Sequence, residues 1–180
     1  ADFLGYDLMM CNDDTMYYSG GSLEMFSTQG FAKELIAKYS YYNQAGSPIL
    51  VCTHAGDTSI VGTNDGSVWY HTANNSAPTQ ITDVDMPGNN GQSLVRGGAS
   101  LDGFFFLADI DGKIHNCDVD DITSWKAINF LTAEREADVG VYLGRHHDHI
   151  VMIGTRSMEF FYNAANPTGS PLARRQDVFY

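Results

Sequence analysis

The chain has 180 residues, a net charge of −12 from 22 acidic and 10 basic side chains, 18% charged and 43% hydrophobic residues. That apolar share supports a packed core and excludes disorder as the main state, while the longest apolar runs, such as Phe104-Phe105-Phe106-Leu107-Ala108, fall far short of the ~18 residues of a membrane helix. The acid excess repels phosphate backbones and so disfavours tight wrapping of nucleic acid, although it suits a passage that lets DNA through without gripping it.

In chain order, the first predicted unit has an extended run from Met16 to Ser19, a Gly20-Gly21 turn and a second run over Ser22-Leu23-Glu24-Met25-Phe26. After it, Phe31 to Ile36 is a weak further run, and Ala32 to Tyr39 also reads as a short amphipathic helix with Leu35 and Tyr39 on one side. The second unit has predicted runs at Ile49 to Thr53, Ser59 to Thr63, Ser67 to Tyr70 and Gln80 to Val84, with Asn64-Asp65-Gly66 as its central turn. Residues 74–78 and 87–91, rich in Asn, Pro and Gly, read as loops. The third has runs at Ser93 to Arg96, Phe104 to Ala108, Lys113 to Asn116 and Trp125 to Phe130, with Asp109-Ile110-Asp111-Gly112 between the middle two and a turn expected at Ile122 to Trp125. The fourth has Val139 to Leu143, Ile150 to Gly154, Ser157 to Phe161 and Leu172 to Arg175, with Thr155-Arg156 as the turn. Gly-Gly and Asp-Gly between extended runs signal hairpins, because glycine supplies the positive φ of tight turns.

The serines at 22, 67 and 157 and Lys113 occupy the same place in the four hairpins, at intervals of 45, 46 and 44 residues. Four strands per roughly 45 residues is the arithmetic of a β-propeller blade. The predicted fold class is therefore all-β, a β-propeller of four-stranded blades over residues 1–40, 47–86, 92–131 and 138–180, with an all-β sandwich as the alternative. A closed ring takes about 4–8 blades. The absence of an initiator Met before Ala1 and the stop at Tyr180 directly after an apolar run lead us to expect a fragment, and hence an arc of a larger propeller.

No catalytic or metal constellation stands out. Asp109-Ile110-Asp111-Gly112 starts like a calcium loop, but Lys113 takes the fifth position, where an oxygen ligand belongs, so a hairpin turn is expected. Asp118-Val119-Asp120-Asp121 reads as a solvated acidic turn, and His146-His147-Asp148-His149 as a polar turn without a third or fourth ligand elsewhere. His54, His71 and His115 read as polar-face strand residues. Cys11, Cys52 and Cys117 are scattered and odd in number, which suits reduced core thiols. The stretch Thr63 to Trp69 is one residue short of the aspartate-box turn of sialidases, and no three of the six arginines group in sequence to bind a carboxylate substrate. Phosphate-loop, GxSxG and HExxH patterns are absent. No cofactor and no enzymatic activity are expected.

From Gly103 onward an ordered set of words is present: Phe104 to Ala108, Ile114 to Asp118, Thr123-Ser124-Trp125-Lys126-Ala127-Ile128-Asn129-Phe130, Thr132-Ala133-Glu134, the run Ile150 to Tyr162 (IVMIGTRSMEFFY), Asn163, Pro167, Pro171 and Arg174. This order resembles the packaged-DNA stabilisation proteins of short-tailed bacteriophages, also described as tail accessory, nozzle or hub proteins. Their pattern is TSWxAxxFxTAE, then GxxSxExFYNxG, then a Pro and an Arg. Ala164-Ala165 stand where the family often has glycine, and Pro171-Leu172-Ala173 replace a Phe-rich step.

The resemblance implies a structural component of the virion tail, made in the host cytoplasm. It would form a homo-oligomer, six-fold in the family, below the portal and adaptor, where it closes and lines the DNA exit channel and meets distal tail proteins. Double-stranded DNA would pass without specific binding, and this segment would bind no membrane. Candidate assembly contacts are Arg156, Arg174 and Arg175, set among few other cations. Glu24 and Glu159 recur two residues after Ser22 and Ser157, a structural regularity. The alternatives are a propeller interaction module outside phages and a glycan-acting propeller enzyme.

Overall fold

A computed structural model describes the backbone of residues 2–3, 6–10, 15–19, 23–27, 34–39, 49–55, 58–63, 66–72, 79–133 and 138–179, with side chains for most of 51–72 and all of 79–133 and 138–176. Every regular element among these residues is a strand. Sheet I contains β1 (Asp2–Phe3), β2 (Tyr6–Met10), β3 (Thr15–Ser19), β4 (Leu23–Ser27) and β5 (Glu34–Tyr39). Sheet II contains β6 (Ile49–Ala55), β7 (Thr58–Thr63), β8 (Val68–Thr72) and β9 (Thr79–Gln80). After the short β10 (Arg96–Gly97), sheet III contains β11 (Ala99–Leu101), β12 (Phe104–Ala108), β13 (Lys113–Asp118) and β14 (Asp121–Thr132). Sheet IV contains β15 (Gly140–His146), β16 (His149–Gly154), β17 (Met158–Asn163) and β18 (Leu172–Phe179), with β10 added to its β15 edge. Each sheet is an antiparallel meander in chain order, and among the described residues only the β10–β15 pair is parallel.

Three local expectations are corrected. Residues 34–39 form β5, paired from Leu23–Tyr39 to Ser27–Glu34, and not a helix. Pairing covers the edge that β4 would otherwise leave open, and that tertiary demand outweighs the weak helical periodicity of ELIAKY. Residues 122–125 belong to the twelve-residue β14, whose preceding turn lies at Val119-Asp120, with Asp120 at φ 56°. The segment Ser93 to Arg96 is not the first strand of sheet III. It stitches two sheets together: the Val95 N–H donates to the Ala108 carbonyl, the Ile110 N–H to that of Ser93, and β10 then pairs with β15. Gly97 makes the crossing feasible. Its φ is +87°, and a Cβ there would lie 2.1 Å from the Leu143 carbonyl oxygen.

The sheets touch in sequence: β2 meets β6, β6 meets β10 and β11, and β15 meets β11 and β12. Two cores fill the gaps. Between sheets II and III lie Val51, Ile60, Val68 and Ile81 against Phe105, Leu107, Cys117 and Trp125. Between III and IV lie Leu101, Phe106, Ala108 and Ile114 against Leu143, Ile150, Met152, Phe161 and Leu172. The pleat of β12 explains how one strand serves both. Successive side chains alternate faces, so Phe105 and Leu107 enter one core and Phe106 and Ala108 the other. Full burial of each of the Phe and Leu side chains stabilises the fold by about 1.5–3 kcal/mol.

Candidate assembly surface

Among the described residues, sheet III is covered on both faces and sheet IV on one. The register of β15, β16 and β17 aligns Tyr142–Ile153–Met158 in one row and Gly144–Val151–Phe160 in the next, on the face turned away from sheet III. Among the described residues this face opens on a cavity of about 610 Å³. Its floor is apolar, and its rim carries Arg145, Arg175, His146 and His149. Arg175 Nη1 lies 3.4 Å from His149 Nε2, and His149 Nδ1 lies 2.7 Å from Asp148 Oδ1. A backbone N–H and the neighbouring imidazole hold the exposed Asp148 below the usual carboxylate range. His147, at φ 54°, turns the chain between β15 and β16, as the polar-turn reading expects.

The three candidate arginines occupy different settings. Arg174 is largely used within the chain: Nε pairs with the buried Glu159 carboxylate at 2.6 Å, Nη2 donates to the Thr132 carbonyl at 3.1 Å, and the guanidinium lies 6.0 Å from the Phe161 ring centre. It therefore ties sheet IV to the end of β14. Arg156 is exposed, and its backbone N–H donates to Asp138 Oδ2 at 2.7 Å. That bond, with further donation from Ser157 and Thr155, keeps the Asp138 carboxyl below its ordinary pKa. Of the three, only Arg175 reaches the uncovered face.

The remaining candidate residues are structural in their contacts. Asp109 is 1% exposed; Oδ1 accepts the N–H groups of Asp111 and Lys113, and Oδ2 lies 3.0 Å from His115 Nε2. His115 is thus buried, at 5% exposed, and not a polar-face residue; its ring lies 5.8 Å from that of Phe130. Neither the Asp109–His115 pair nor the Glu159–Arg174 pair was evident from spacing, because each needs the strand register to bring its partners together. Asp118 accepts from Lys126 Nζ (2.6 Å), Ser124 Oγ (2.9 Å) and Asn129 Nδ2 (3.3 Å), and the lysine above all lowers its pKa. Burial pushes the Cys117 thiol up to about 11, so it stays protonated and packs as a small apolar group. Among the described residues no three His, Cys, Asp or Glu side chains cluster to hold a metal ion. Trp125, 3% exposed, sits in the II–III core, donates Nε1–H to the Ile122 carbonyl at 2.8 Å, and has its backbone N–H on Asp83 Oδ2. Gly66, at φ 88°, closes the turn after β7; Asn64, Asp65, Arg135 and the side chains of Cys11, Cys52, Glu24, His54 and His71 lie outside the described residues.

No protein-family profile matches the chain, and no curated protein is similar to it in sequence. Solved structures are similar to the chain in fold. A chain of the Mitotic Checkpoint Complex superposes on 97% of this chain with a TM-score of 0.64 at 14% identity, over 52% of its own length. The computationally designed Ika8 protein matches 86% of this chain (TM-score 0.60, 11% identity), and the designed Ika4 protein the same share (0.58, 11%). The chain spans 44% of Ika8 and 88% of Ika4, so it is about half the length of the longer relatives in fold.

Proposed function

We propose that sheets I to IV are consecutive blades of a β-propeller arc, and that the protein is a non-enzymatic nozzle or hub subunit in the tail of a short-tailed bacteriophage. The blade reading is supported by the sheet-by-sheet contact of β2, β6, β11 and β15 and by a separate apolar core in each of the two gaps around sheet III. The tail reading rests on the ordered words of residues 104–174. Their residues do mechanical work in the fold: Trp125 fills one core, and Glu159 and Arg174, which belong to separate words, meet as an ion pair. A subunit that bears load has use for such joints, and a net charge of −12 would keep DNA from sticking as it leaves.

The test is to mix the purified chain with portal–adaptor complexes of short-tailed phages and image them by negative stain. Added six-fold density below the adaptor is expected. A chain that never joins such complexes, under conditions where it stays folded, overturns the tail reading. An interaction module outside phages is the second reading, favoured by the match to the checkpoint-complex chain over 97% of this sequence. It is distinguished by a complete ring whose partner is a soluble protein and not a portal assembly.

A further inference from the structure

We propose that Asn90 is a site of spontaneous covalent modification: its side chain closes on the backbone nitrogen of Gly91, and the folded protein converts it with time to a mixture of aspartate and isoaspartate. The site is independent of the tail reading.

The chemistry needs only water. The Gly91 amide nitrogen attacks Asn90 Cγ, and the new N–Cγ bond closes an imide ring. The side-chain nitrogen leaves as ammonia, taking the Gly91 amide proton with it. Water then opens the ring at one of its two carbonyls. Breaking the N–Cγ bond gives aspartate. Breaking the original peptide C–N bond gives isoaspartate, in which the main chain runs through Cβ and Cγ. Asparagine is among the heat-labile residues for this reason, and a following glycine favours the attack, because it has no Cβ to block the approach and its backbone turns freely.

Asn90-Gly91 is the one Asn-Gly pair in the sequence. It lies in the turn between β9 and β10, and both residues are exposed. A Cβ on Gly91 would meet no atom within 4 Å. The Gly91 N–H donates to the Gly88 carbonyl at 3.3 Å, longer than the ~2.7–3.2 Å of a well-formed bond, so the attacking nitrogen is weakly held. Among the described residues no group engages the Asn90 side chain. Other asparagines are placed differently. Asn89 Nδ2 donates to the Ile81 and Asp83 carbonyls at 2.9 and 2.7 Å. Asn116 and Asn129 are buried, at 1% and 8% exposed. Asn163 is tied by Asp102 and by the Ala165 N–H. Asn166 precedes Pro167, whose nitrogen carries no proton to lose.

The turn is anchored on both sides of this tip. Met86 is fully buried in the II–III core, and the Gln92 N–H donates to the Pro87 carbonyl at 3.0 Å. Gly88 sits so close to the turn after β7 that a Cβ there would lie 1.9 Å from the Gly66 carbonyl oxygen. The extra main-chain carbon of isoaspartate is therefore taken up in the open space beside Gly91, and the fold survives. Either product carries a carboxyl with an ordinary pKa of about 3.9, which adds one negative charge to the −12 of the chain.

The test is to hold the purified chain at neutral pH and physiological temperature, with a parallel sample in urea. Both are followed by isoelectric focusing and by peptide mapping that separates aspartate from isoaspartate. In the folded sample a more acidic species should grow with time, faster at higher pH, with both products at Asn90 and with Asn116, Asn129 and Asn163 intact. The urea midpoint should not change as it grows. Asn90→Gln, whose longer side chain would have to close a larger ring, should abolish the acidic species. An Asn90 that stays intact in the folded chain, whether or not it converts in urea, overturns the proposal. Aspartate without isoaspartate overturns the ring-closing route, and a midpoint that falls with conversion overturns the claim that the tip tolerates it. The mapping of the wild type decides the question even if Asn90→Gln does not fold.

Discussion

Sheets III and IV share one plan, and they differ in what lies beside them. In sheet III, β12 places Phe105 and Phe106 in two different cores, and both rings are almost wholly removed from solvent, at 6% and 0% exposed. In sheet IV, β16 and β17 carry equally apolar rows on both faces. Ile150, Met152 and Phe161 are buried against sheet III, while Ile153, Met158 and Phe160 on the other face are only half-buried. The strands cannot be told apart by composition. The contrast teaches that burial here is conferred by the neighbouring sheet, and that sheet III is half of two interfaces.

The strongest way to break this comparison is to remove a ring from the doubly covered sheet. Phe106→Ala should cost about 3–5 kcal/mol, read as a large drop in the urea midpoint, because the fully enclosed site cannot collapse around the loss. If the midpoint barely moves, the III–IV gap is not a packed core. The next test is the Glu159–Arg174 pair, which links β17 to β18 within sheet IV. Arg174→Ala should cost about 3 kcal/mol by leaving Glu159 buried without its main cation. Replacing both by apolar residues, Glu159→Leu with Arg174→Met, should recover most of that loss, since the pair's own desolvation cost disappears with it.

A smaller effect sharpens the comparison from the other side. Phe160→Ala should cost only about 1 kcal/mol. The half-buried ring has little burial to lose. A loss equal to that of Phe106→Ala would mean that the outer face is already covered within one chain. The smallest effect concerns the turn after β16. Asp138→Asn should cost below about 1 kcal/mol, as its acceptors are partly kept and the site is partly exposed. Because the folded pKa of Asp138 is depressed, its contribution is fully present above the unfolded value near 3.9 and fades as pH falls through the lower folded value. The wild type should therefore lose more stability on acidification below about pH 4 than the variant does. Parallel curves would show that the carboxylate is not held by the Arg156 N–H in solution.

How much could be read without coordinates differed by residue. The turns at Gly66 and at Asp109 to Gly112 were legible, because only a few residue types tolerate their backbone, and positive φ at Gly66 and Gly112 bears that out. The all-β class was legible from the same punctuation. The scarcity of cations marks Arg174 as a candidate assembly contact; its carboxylate partner, Glu159, comes from the adjacent strand of its own sheet, and register alone reveals that. The sequence reads His115 as a polar-face strand residue, but a strand in which both faces are buried has no polar face for alternation to mark.

The amino-acid order by itself determined local events: where extended chain must stop, where it must reverse, and that four similar units follow one another at about 45 residues. Those are short-range consequences of backbone sterics and side-chain size. Tertiary structure alone decided that residues 34–39 complete a sheet, that residues 93–97 cross from sheet III to sheet IV, and which apolar face of each strand meets which neighbour. Two apolar faces of equal composition give no preference until another sheet arrives, so the choice belongs to the assembled stack and not to any one strand.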